Sequence, residues 1–113
     1  MMKEHIAELL EKSEEELFFE LGEALPKPLG ARAPSRKKLI RDAKKWLASN
    51  NEKLKKLVCK SSGIKTILEK KTESRIEIIL LIFELLTPEF RLPVAMIIAT
   101  LLVRQGIESF CQE

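Results

Sequence analysis

Tyrosine is missing from this chain, histidine occurs once (His5), and the only cysteines are Cys59 and Cys111. A lone histidine on a glutamate-rich segment cannot supply a metal cluster, and a Cys–His pair would have to be built from it alone. The two cysteines lie far apart without ligand-like neighbours, so the pattern reads as two separate thiols. It is neither a disulfide scaffold nor a zinc framework. The four glycines stand singly at 22, 30, 63 and 106, which leaves no glycine-rich phosphate loop. Carboxylate pairs at helical spacing, such as Glu16–Glu20 and Glu73–Glu77, have no flanking histidine and read as solvated faces. These absences point to a non-enzymatic protein with no cofactor and no metal.

Long hydrophobic runs are missing too. The longest uncharged stretch, Leu92 to Val103, contains Pro93 and falls short of the roughly 20 residues a membrane span needs. No apolar segment follows a basic start, so a secretory signal is not expected and the default compartment is a reducing cytoplasm. Strand-formers never alternate with polar residues over a useful length.

What is present suits helices. Hydrophobic residues make up 45% and charged residues 33% of 113, a balance that places the chain among globular domains of ordinary size. Leu, Ile, Lys and Glu dominate, as helix propensity favours. The expected fold is all-α: one domain, a compact bundle of five or six helices. No internal repeat argues for a solenoid.

Charge divides the chain into blocks. Residues 1–25 hold eight Glu against two Lys (−6), residues 26–71 hold 15 Lys or Arg against three acids (+12), and residues 72–113 hold three Arg against six Glu (−3). Such separation can steer a partner, or the acidic block can lie on the basic one.

Residues 1–25 read as two acidic helices, with Ser13 and Glu16 at capping-box spacing and a restart at Glu14. Residues 26–35, with three prolines and a glycine, read as an extended loop. In the basic block, 36–71, Ser35 caps a helix to about Ala48 whose apolar face is Leu39, Ile40, Ala43, Trp46 and Leu47. Trp46, the single indole, is read as a core residue or an interface anchor on that face. Ser49 and Glu52 repeat the capping-box spacing and predict a second basic helix from about Asn50. Ser61-Ser62-Gly63 ends that helix, and a short helix or turn follows around Ile64, Ile67 and Leu68.

Residues 72–113 predict an apolar helical hairpin at the centre of the bundle. Thr72 caps its first helix, about 73–86, and Pro93 opens its second, about 93–110, with Ala95, Ala99 and Gly106 as small residues along one stripe. Helices apolar nearly all round must be enclosed by protein, either their own chain or another. Membrane insertion would bury Glu84, Glu89 and Arg91 and is disfavoured.

The reading for function is a protein–protein interaction or accessory subunit, self-associating or held by another protein. The candidate contact residues are Lys37, Arg41 and Lys44 on the first basic helix, Lys53 and Lys56 on the second, the neighbouring 26–35 loop, and any uncovered part of the terminal hairpin. The alternative is non-specific nucleic-acid binding through the same 36–60 helices. It is weakened by the shortage of Arg and by the lack of an aromatic platform within the basic faces.

Overall fold

A computed structural model describes residues 2–26, 34–70 and 74–112, and among these the chain is all-helical, with eight helices. They are α1 (Met2–Glu11), α2 (Glu14–Ala24), α3 (Arg36–Ser49), α4 (Asn51–Val58), α5 (Ser62–Lys70), α6 (Arg75–Leu86), α7 (Leu92–Gln105) and α8 (Ile107–Cys111). Most of the predicted 26–35 loop, residues 27–33, lies outside the described residues.

Two predicted N-terminal caps form. The Glu16 amide donates to Ser13 Oγ at 3.1 Å and the Lys38 amide to Ser35 Oγ at 3.2 Å, each hydroxyl satisfying one orphan donor of its helix. The second half of the first capping box gives way, because the Glu16 carboxylate accepts a hydrogen bond from Arg36 instead.

Four boundaries differ from the sequence expectation. Ser49 is the last residue of α3, and its hydroxyl donates back to the Trp46 carbonyl at 2.7 Å, so no capping box forms with Glu52. Asn50 joins α3 to α4 instead, its amide and its side-chain nitrogen both bonding the Trp46 carbonyl. Ser62 and Gly63 begin α5 rather than ending α4. The cap of α6 is Ser74, accepting from the Glu77 amide at 3.2 Å, while Thr72 falls outside the described residues. The predicted helix over 93–110 breaks at Gly106, whose φ of 106° lies in the left-handed region that favours glycine. That break also removes Gly106 from the proposed small-residue stripe.

α7 is the axis of the core. Every residue from Val94 to Val103 is buried, including Thr100, whose hydroxyl donates to the Met96 carbonyl at 2.9 Å within its own helix. α1, α2, α6 and α8 all pack against α7. α6 is less central than the hairpin reading supposed. It buries Ile79, Ile82, Phe83 and Leu86, while Ile76, Ile78, Leu80, Leu81 and Leu85 are only partly covered, in part by α5.

Ile6, Leu9, Leu17, Leu21, Leu54, Ile64 and their neighbours close the core from the outer helices. Fully burying each such side chain contributes roughly 1.5–3 kcal/mol. Among the described residues only Met2 and Leu92 (61% accessible) are large hydrophobic side chains left exposed. α7 is thus enclosed by its own chain, and α6 is enclosed on one side. Trp46, read from sequence as a core residue or an interface anchor, packs partly buried against the core, edge-on to Phe90 with ring centroids 5.7 Å apart.

Candidate functional site

The basic helices α3 and α4 present their cations on two separate faces, which the bend at Asn50 divides. On α3, residues 37, 41 and 44 follow helical spacing and fall on one side. Lys37, Arg41, Lys44 and Lys45 line a shallow groove of about 320 Å³, floored by Ile40 and edged by Glu15 of α2. Of the five predicted contact residues, Lys37, Arg41 and Lys44 are therefore brought together.

The other two go elsewhere. Lys53 pairs with Glu89 at 3.1 Å, and its ammonium lies 5.2 Å from the centre of the Phe90 ring. Lys56 lines a larger cleft, about 620 Å³, shared with Lys55, Lys60, Lys65 and Glu52. Four lysines against one carboxylate give this cleft the same charge balance as the α3 groove, spread over a larger volume. Its apolar wall is Leu68 and a disulfide between Cys59 and Cys111.

The disulfide corrects the reading of two unrelated thiols. Cys59 closes α4 and Cys111 closes α8, and their Cα atoms lie 5.4 Å apart although 52 positions separate them. No local spacing can announce such a pair, since it exists only because two helix ends converge. Both cysteines are partly accessible. His5 is exposed on α1, at the opposite end of the chain from Cys111.

A second feature absent from the sequence reading is the pairing of cations with aromatic rings. No aromatic residue is interleaved in the basic faces, yet the fold sets Arg36 over Phe19 (4.4 Å), Lys44 over Phe18 (5.5 Å) and Lys55 over Phe110 (5.9 Å). The aromatic partners come from α2 and α8, far away along the chain.

The charge blocks are only partly neutralised inside the molecule. Arg36–Glu16 joins the basic block to the acidic one, Lys53–Glu89 joins it to the third, and Lys3–Glu77, at 3.0 Å, joins the first to the third. Two pairs stay within their own block. A hydrogen bond from Lys38 at 2.8 Å holds the Asp42 carboxyl below its usual range, and one to Glu20 at 2.6 Å raises Lys12 above the ordinary lysine value. Lys37, Lys45, Lys56, Lys60 and Lys65 stand outside the ion pairs among the described residues.

Among the described residues no helix is long and apolar enough to cross a membrane. No known protein family, curated protein or solved structure matches the chain.

Proposed function

We propose that the protein is a non-enzymatic interaction subunit that binds an acidic protein surface through the cationic sides of α3 and α4. The observation that supports this is the grouping of Lys37, Arg41, Lys44 and Lys45 along one groove, where like charges are held together with Glu15 the only carboxylate on its edge among the described residues. Crowding cations costs stability through mutual repulsion, and an acidic partner relieves it. The enclosure of α7 argues against self-association through that helix, and the apolar surface left on the hairpin is the partly covered side of α6. We keep the cytoplasmic placement within this proposal. In a reducing compartment a crosslink between accessible cysteines is a reversible one.

The test uses poly-glutamate and a short random-sequence DNA duplex as probes at low salt, with the full chain and its Lys37→Gln/Arg41→Gln/Lys44→Gln variant. The expected result is poly-glutamate binding that weakens about tenfold in the variant, as three exposed pairs at roughly 0.5 kcal/mol each require. The duplex is expected to give no comparable shift. Tighter binding of the duplex, falling steeply with salt, would replace this reading with nucleic-acid binding through the same residues.

A further inference from the structure

We infer that the Cys59–Cys111 disulfide is a thiol–disulfide exchange site, opened by a protein dithiol, rather than a permanent brace. Its setting carries the inference. Reactive cysteines are found in electropositive, partly accessible surroundings, whereas inert ones are buried among apolar groups. Here both sulfurs are partly accessible and form one wall of the cleft that holds Lys55, Lys56, Lys60 and Lys65. On α4 itself Lys55 and Lys56 lie one helical turn before Cys59, and Lys60 follows it directly.

The opposing influences are weaker. Among the described residues Glu52 is the only carboxylate lining the cleft, and on α8 Glu108 lies one turn before Cys111. Each cysteine also stands at the C-terminal end of its helix, where the partial negative charge disfavours a thiolate. Among the described residues, four whole positive charges stand against two carboxylates and two helix ends.

The exchange balances as follows. A thiolate of the dithiol attacks Cys111 Sγ, forming a mixed disulfide, and the Sγ–Sγ bond breaks to release Cys59 as a thiolate among the lysines. The second thiolate of the dithiol then attacks its own partner sulfur and expels Cys111 as a thiolate. The dithiol leaves oxidised to its disulfide, two electrons have passed to the cysteine pair, and the released thiolates take protons from solvent. A leaving thiolate of low pKa departs faster, which is what the lysines of α4 provide. Once the bond is open, α8 keeps the Gly106 hinge, the buried Ile107 and the half-buried Phe110 as holds on the rest of the fold. This inference does not depend on the acidic-partner reading.

Dithiothreitol serves as the dithiol probe under native conditions, with trapped thiols counted by mass. The intact protein is expected to be reduced without denaturant, and the Lys55→Gln/Lys56→Gln/Lys60→Gln/Lys65→Gln variant roughly tenfold more slowly. A second measurement uses Cys111→Ser, which leaves Cys59 as a single thiol. Its alkylation by iodoacetamide is expected to show a pH inflection below the ordinary thiol value of about 8.5. Reduction that needs denaturant, a rate indifferent to the four lysines, or an inflection at or above the ordinary value would each overturn the inference.

Discussion

Arg104 shows how much one side chain can do in this fold. It follows ten consecutive buried residues of α7, and in the sequence it marks only the return of polarity. In the structure its guanidinium crosses to α1 and donates to the carbonyls of Leu10, at 2.9 Å, and of Lys12. Those carbonyls belong to the orphan acceptors that every helix end leaves behind. One planar group with several donors serves two of them at once, which a lysine ammonium does less well. Replacing Arg104 by Met keeps the apolar stem and removes the donors. The expected loss is about 1–3 kcal/mol in urea unfolding, with Arg104→Lys recovering part of it.

Among the elements, α2 and α3 approach each other closely at Gly22. A Cβ built there would meet the Leu39 carbonyl oxygen at 2.6 Å, a backbone atom that cannot swing aside. Alanine is the better helix former by up to about 1 kcal/mol, so propensity alone would favour the change. Steric conflict with a helix backbone wins. Gly22→Ala is expected to destabilise by about 1–3 kcal/mol in thermal or urea unfolding. A stabilised variant would mean that the two helices can separate freely.

The element boundaries were legible where the signal is local. Ser13 and Ser35 cap from three residues away, and the sequence contains the whole interaction. Ser49 carries the same spacing with Glu52 yet bonds backward to Trp46, because α3 runs one residue further than its pattern suggested. Gly106 could be read as a small packing residue or as a stop. Only the turn of the chain into α8 decides for the stop.

For the molecule as a whole, the crosslink spans 52 positions and ties the last helix to the basic block. In the chain-entropy account, closing a loop of that size stabilises the fold by about 4 kcal/mol. The Cys59→Ser/Cys111→Ser variant, which has no thiolate to compensate, is expected to lose up to about that much in urea unfolding. A loss near zero would indicate that α8 is held by its packing, Ile107 and Phe110 included, without the crosslink. The loss concerns stability, and exchange rates measured on the intact pair report separately on the surrounding charge.

Helical class, the capping serines at 13 and 35, and the need to enclose the apolar residues 94–103 follow from sequence alone, because each depends on neighbours within a turn or two. The cationic face at Lys37, Arg41 and Lys44 belongs to the same group, since helical periodicity places it. Tertiary structure alone decided that Cys59 meets Cys111, that Arg104 caps α1, that Phe18 and Phe110 lie under lysines, and that Lys53 and Lys56 part company. Each of these joins residues distant along the chain. Their meeting is set by the way buried helices pack, and no local pattern of residue types records it.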